Sequence, residues 1–198
     1  MMPKGTPLTE EEQTRRRREI FDAAVHLFLE KGFNETSMRE IAEAAGAGKS
    51  TLYDYFSSKD EILLSVVEEE LNNLTRHAQA IAREPIATQE KLRQVIFAYM
   101  DYLVANEAFY MKLSLEVQRM AQISQVRIQQ ARHMYQDVIQ GLIETGIQEG
   151  SLRQTDPLLA SRILLTALSP AVYTTRPSGT RTQMMEAAFN LLMNGLQA

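Results

Sequence analysis

The chain has 198 residues, no cysteine, a formal charge of −4 and a 44% hydrophobic share, which fits one large or two small soluble domains. Without cysteine there is no disulfide framework, no thiolate metal site and no thiol nucleophile. The acidic balance gives no general affinity for nucleic acid, so any such binding must come from basic residues placed locally.

Met1 to Leu8 read as a loose arm, too polar for a signal peptide. No apolar run in the chain approaches the roughly 18 residues that cross a bilayer. The expectation is a cytoplasmic protein without a membrane partner. Thr9 and Glu12 form a capping pair, and three acids occupy the first turn, where the helix dipole favours them. The first helix then runs to about Lys31 and stops at Gly32, with Ile20, Ala24, Leu27 and Phe28 inward. Arg15 to Arg18 span a full turn and point in every direction; they read either as a solvated helix face or as phosphate contacts.

The stretch Thr36 to Lys59, TSMREIAEAAGAGKSTLYDYFSSK, holds two short helices. Ser37 and Glu40 have the spacing of a capping box. Ile41, Ala42 and Ala45 make one small apolar face, and Gly46 to Gly48 mark a turn. A second helix runs from Lys49 to about Phe56, with Leu52 and Phe56 inward at i, i+4. Lys49, Ser50, Thr51, Tyr53, Asp54 and Tyr55 are left largely outward. A second helix rich in outward hydrogen-bonding groups, after a short turn, describes a helix-turn-helix.

These residues resemble the DNA-binding segment of TetR-type transcriptional regulators, whose pattern runs T-x-x-x-I-A-x-x-A-G-V-S-x-x-x-(L/I)-Y-x-(H/Y)-F-x-x-K-(D/E)-x-L. The resemblance covers Ile20 to Leu64, with Ala47 where Val is usual and Gly48 where Ser is usual. The second departure weakens the cap of the recognition helix by a few tenths of about 1 kcal/mol, since Gly is a tolerable N-cap. The resemblance places the DNA-contacting positions on Ser37, Met38, Arg39, Lys49, Ser50, Thr51, Tyr53, Asp54, Tyr55 and Lys59. Among these, Arg39, Lys49 and Ser50 suit base edges, whereas Thr51, Tyr53 and Lys59 suit phosphate.

Beyond the motif, Ser58 and Glu61 cap a fourth helix with the stripe Leu63, Val67, Leu71, Leu74, Ala78 and Ile81, ended by Glu84-Pro85. A fifth spans about Thr88 to Asn106, a sixth Ala108 to Ile123, and a seventh Ser124 to Glu149, closed by Gly150. Asp156-Pro157 opens an eighth, apolar on nearly all sides to Val172, which Pro170 should kink. Thr180 and Gln183 cap the last. No strand signal competes, so the predicted fold is all-α. A three-helix helix-turn-helix domain (residues 1–60) precedes a larger helical domain for effector binding and dimerisation (residues 61–198).

Two apolar terminal helices want a second partner, which a symmetric dimer supplies. The candidate interface is Ile163, Leu164, Ala167 and Leu168, with Met184, Ala188 and Leu192. Aromatic and Met residues of the middle helices read either as core or as a pocket for an apolar ligand. The resemblance favours the pocket. Its candidates are Tyr99, Met100 and Tyr102; Phe109, Leu113, Glu116 and Met120; and Met134, Tyr135 and Val138. At 100° per residue, Glu116 falls within the stripe of Phe109, Leu113 and Met120. There it either pairs with an Arg or Tyr or orients a cationic or hydrogen-bond-donating ligand.

Gly46-Ala47-Gly48-Lys49-Ser50-Thr51 invites a phosphate-loop reading, but the first glycine of that motif would fall on Glu43 and should follow a strand. His133 and Asp137 have ligand spacing but oppose the apolar stripe of their helix, so no metal or cofactor is expected. The resemblance implies a non-enzymatic homodimeric regulator, most often a repressor, that reads a palindromic operator in double-stranded DNA and answers to a small effector. The alternative is a DNA-binding dimer governed by a protein partner, or one without an effector.

Overall fold

The structure is a computed structural model that describes residues 9–168, 174 and 176–196. Among these residues the regular elements are all helical: α1 (Glu10–Glu30), α2 (Met38–Ala44), α3 (Lys49–Tyr55), α4 (Lys59–Ala82), α5 (Thr88–Ala105), α6 (Glu107–Arg119), α7 (Gln122–Gln148), α8 (Pro157–Ala167) and α9 (Arg181–Asn194). The Met1–Leu8 arm and the expected kink at Pro170 lie outside the described residues.

Local chemistry sets most helix starts. Thr9 with Glu12, Ser37 with Glu40 and Thr180 with Gln183 form reciprocal capping boxes at α1, α2 and α9. Asp156 accepts from the amides of Leu158 and Leu159 ahead of Pro157, which needs no donor there. Gly32 (φ 102°) and Gly150 (φ 74°) take left-handed conformations just past α1 and α7.

One boundary differs from the sequence expectation. The sixth helix was expected to reach Ile123, but α6 ends at Arg119 and α7 begins at Gln122. No glycine or proline marks the break. The Gln125 side-chain amide donates to the Val117 carbonyl, and the amides of Ser124 and Gln125 turn to the Ala121 carbonyl at 2.9 and 3.1 Å. Orphan groups at both helix ends are thereby satisfied.

The chain divides into two compact units. The first takes residues 1–67 together with Met111–Gln125; the second takes Glu68–Tyr110 and Val126–Ala198. In the first, α1 packs on α2 and α2 on α3. Its core contains Ile20, Phe28, Ile41, Leu52, Phe56 and Leu63, and also Leu113 and Val117 from the distant segment. The rings of Phe21 and Phe56 lie 5.5 Å apart, and those of Phe28 and Phe33 4.9 Å apart. The second unit is built around Leu92, Val95, Ile96, Met100, Ile139, Ile143 and Phe189. Burial of such side chains, at about 25 cal/mol per Å² of apolar surface, dominates the stability of both units.

Candidate nucleic-acid interface and helical-domain cavities

The α2–turn–α3 segment is held from beneath and open above. Leu52 and Phe56 are buried, whereas Lys49, Ser50, Tyr53 and Asp54 are exposed on the outer face of α3. Gly46 makes the turn at φ 59°, a conformation that disfavours a side chain. Gly48 is the N-cap of α3 and offers no side-chain cap to its first amides. Lys49 extends over the Tyr53 ring with Nζ 5.9 Å from its centroid. The GAGKST stretch thus runs from a helical turn into α3 rather than from a strand into a phosphate cradle.

The remaining positions implied by the resemblance divide by environment. Ser37 is the α2 N-cap, and Met38 is half-buried. Arg39 is exposed and pairs with Glu43 at 2.8 Å. Thr51 and Tyr55 are half-buried at the side of α3. Lys59 is turned inward: its ammonium donates to the carbonyls of Phe33 (2.6 Å), Asn34 (3.1 Å) and Thr36 (3.2 Å). Glu40 receives Lys31 and both the amide and hydroxyl of Ser37. Those contacts, Lys31 first, pull its carboxyl down to about 2.

The four arginines of α1 are engaged within the unit. Arg15 and Arg16 pair with Glu19 at 3.8 and 2.8 Å, and Arg18 with Asp22 at 3.3 Å. Arg17 lies 4.9 Å from the Phe56 ring centroid, a cation–π contact. Exposed pairs of this kind are worth little and exchange readily for phosphate.

The structure distributes the candidate effector residues over three environments. Tyr99 and Tyr135 come together, with ring centroids 5.4 Å apart, and line a cavity of about 300 Å³. The other lining residues are Leu71 of α4, Tyr110 of α6, Arg132 and Gln136 of α7, and Arg162, Leu165 and Thr166 of α8. Tyr102 sits against Tyr110, with centroids 5.9 Å apart, but does not line the cavity. Burial pushes the hydroxyls of Tyr99 and Tyr135 above their ordinary values, and Tyr135 donates to the Val95 carbonyl at 2.9 Å. Met100 is fully buried in the core of the second unit, Phe109 and Val138 are half-buried, and Met134 is half exposed.

Leu113, Glu116 and Met120 belong to the first unit, not to the one that holds the cavity. Glu116 faces the α1–α2 connection there, accepting from Asn34 at 3.4 Å and pairing with Arg119 at 3.4 Å. Lys112 donates to the Leu29 carbonyl at 2.6 Å. The inward stripe of α6 is real, but it seals the helix-turn-helix unit. Arg132 and Arg162 carry no signal in the sequence, because they sit thirty positions apart on separate helices and break no local pattern.

The candidate dimer residues are similarly divided. Leu164 and Leu168 are each 1% exposed, buried within their own unit. Ile163 and Ala167 are exposed, and Met184, Ala188 and Leu192 are half-buried. Leu159 (53% exposed) and Leu191 (75%), outside the expected set, join Ile163 around an apolar depression of about 230 Å³ between α8 and α9. Among the described residues no cluster of His, Asp or Glu could hold a metal ion, and no helix is long and apolar enough to cross a membrane.

Comparison with known proteins matches two separate stretches of the chain. Residues 20–66 match the family described as bacterial regulatory proteins, tetR family, and residues 85–196 the tetracyclin repressor-like C-terminal domain. A fatty acid metabolism regulator protein of Bacillus subtilis (strain 168) is 26% identical over 157 residues, 79% of this chain and 81% of that protein. The HTH-type transcriptional repressor KstR2 of Rhodococcus jostii (strain RHA1) is 28% identical over 190 residues, 91% of each chain. Among solved structures, the transcriptional regulator FadR from Bacillus subtilis, in complex with stearoyl-CoA, has a TM-score of 0.78 at 24% identity, covering 90% of this chain and 98% of that one. At that identity the likeness concerns the fold.

Proposed function

The chain belongs to the tetR family of bacterial regulatory proteins, DNA-binding transcriptional regulators rather than enzymes, and we propose that it is a homodimeric repressor released from a palindromic operator by a small, largely apolar effector. The observation that carries the DNA-binding part is the outer face of α3, where Lys49, Ser50, Tyr53 and Asp54 stand exposed over a buried Leu52 and Phe56. A helix so supported enters the major groove with its first turn at the base edges. Lys49 and Ser50 read bases, and Arg39 gives up Glu43 to reach the duplex.

The effector part rests on the tyrosine-walled cavity and on the similarity to a fatty acid metabolism regulator protein. Tyr110 at the cavity and Lys112 at the Leu29 carbonyl are two residues apart on α6. Filling the cavity biases α6, and α6 biases the seat of the helix-turn-helix. The effector therefore acts by binding one of two dimer states more tightly. Exposed Leu159, Ile163 and Leu191 supply the dimer face.

Selection of bound sequences from random duplex DNA by the full chain tests this reading. The expected product is a palindrome whose half-sites lie about one helical turn apart or slightly more, bound with two protomers per half-site pair. Enrichment of no sequence, or a single protomer on a single half-site, would overturn it.

A further inference from the structure

Among the described residues, the lining of the tyrosine cavity contains two arginines, Arg132 and Arg162, and no carboxylate. Neither arginine has an acidic partner among the described residues, although others in the same unit do: Arg93 holds Glu186, Arg127 holds Glu68 and Arg181 holds Glu107. Glu70, whose charge bears on Tyr102, does not line the cavity. The two helices repeat one arrangement. On α7, Arg132 is followed at i+3 and i+4 by Tyr135 and Gln136; on α8, Arg162 is followed at the same spacings by Leu165 and Thr166. Residues so spaced share a helix face, so each wall presents a guanidinium, an apolar surface and a hydrogen-bonding group.

Position in the cavity separates charge from oil. Arg132 and Arg162 are exposed, whereas Tyr99 and Leu71 are at most half-exposed and Tyr135 is buried. An unpaired guanidinium at the rim is a standing site for an anion, and its forked donors suit carboxylate and phosphate alike. A cationic ligand meets two like charges there and no acid. The ligand charge that Glu116 would have chosen is therefore reversed, because Glu116 lies in the other unit.

Building on the effector-released reading above, we propose that this cavity takes an anionic amphiphile, its acidic head held by Arg132 and Arg162 and its apolar chain lying against Leu71, Tyr99 and Tyr135. The head is either the carboxylate of a free long-chain acid or the phosphates of its coenzyme A thioester. The shared chemistry is an oxyanion on an acyl chain.

Calorimetric titration of the full chain with four twelve-carbon probes tests the proposal, with coenzyme A alone as control: dodecanoate, dodecanoyl-coenzyme A, dodecanol and dodecyltrimethylammonium. At least one anionic probe should bind roughly tenfold or more tighter than dodecanol, the scale of one charged hydrogen bond. The double variant Arg132→Gln, Arg162→Gln should erase that advantage while keeping the affinity for dodecanol, and Lys at both positions should restore much of it. Tighter binding of the thioester than of the acid assigns the head to phosphate; the reverse assigns it to carboxylate. Binding of neither anionic probe more tightly than dodecanol, a preference for the cation, or anionic binding unchanged in the double variant would each overturn the proposal. If dodecanol releases selected DNA as well as either anionic probe does, the effector-released reading survives and only the anionic head falls. If no probe binds or releases DNA, both fall.

Discussion

The ammonium of Lys59, the first residue of α4, donates to the Phe33 carbonyl at 2.6 Å and lies 4.6 Å from the centroid of the same residue's ring. With Asn34 and Thr36 also accepting, Lys59 uses its three protons to close the turn between α1 and α2. The resemblance placed this residue on phosphate; in the structure its donors are already spent inside the unit. Lys59→Met should cost ~2 kcal/mol, the scale of a hydrogen bond to a charged group, and lower the melting temperature by about 4–8 °C. DNA affinity should fall for every sequence while its salt slope stays as in the wild type. A slope reduced by roughly one contact, with unchanged melting, would instead mark a phosphate ligand.

Lys49 is expected to behave differently. It is exposed, extends over the Tyr53 ring, and sits in the first turn of α3. Lys49→Ala should change preference at one base pair per half-site by about 1–3 kcal/mol and leave folding unaffected. Binding measured on a panel of single-base operator variants distinguishes this from a uniform loss.

The start of α2 carries a pH dependence. The Glu40 carboxyl is held down to about 2 by Lys31 first and then by Ser37. A carboxyl whose folded value is depressed contributes stability above its unfolded value near ~4.3, lost as pH falls toward the folded one. Between about pH 4 and pH 2 the wild type should therefore lose stability more steeply than Glu40→Gln. Comparing the two melting curves across that window checks the sign; parallel curves would refute it.

The apolar face of α8 and α9 gives a prediction about assembly. Leu159, Ile163 and Leu191 are exposed, so a charge at any of them meets water in a protomer and an apolar surface in a dimer. Ile163→Glu should shift sedimentation toward a folded monomer with wild-type helical content, since an unpaired charge is costly only once buried. Leu164→Glu, in contrast, places its charge inside the protomer and should unfold it. A wild type that sediments as a monomer at micromolar concentration would remove the premise.

Much of this was written locally in the sequence. The Thr9–Glu12, Ser37–Glu40 and Thr180–Gln183 pairs act within one helical turn, so spacing alone located three helix starts. The stripe of α4 from Leu63 to Ile81 was equally legible, because each of its members is buried. Glu116 shows where periodicity stops. A helical period says which face of α6 is covered but not by what, and the cover is the α1–α2 connection rather than a ligand. Arg132 and Arg162 acquire meaning only when α7 and α8 are placed beside one cavity.

The assignment of Met111–Gln125 to the first unit bears on how the protein can be taken apart. Leu113 and Val117 complete a core whose other members come from the first 67 residues, and Lys112 fixes the end of α1. A fragment cut at residue 67 would expose that core, so the DNA reader is not a cassette. A chimera that grafts it onto a foreign body inherits only part of a domain, and it will fold only if the new host supplies a segment shaped like this one.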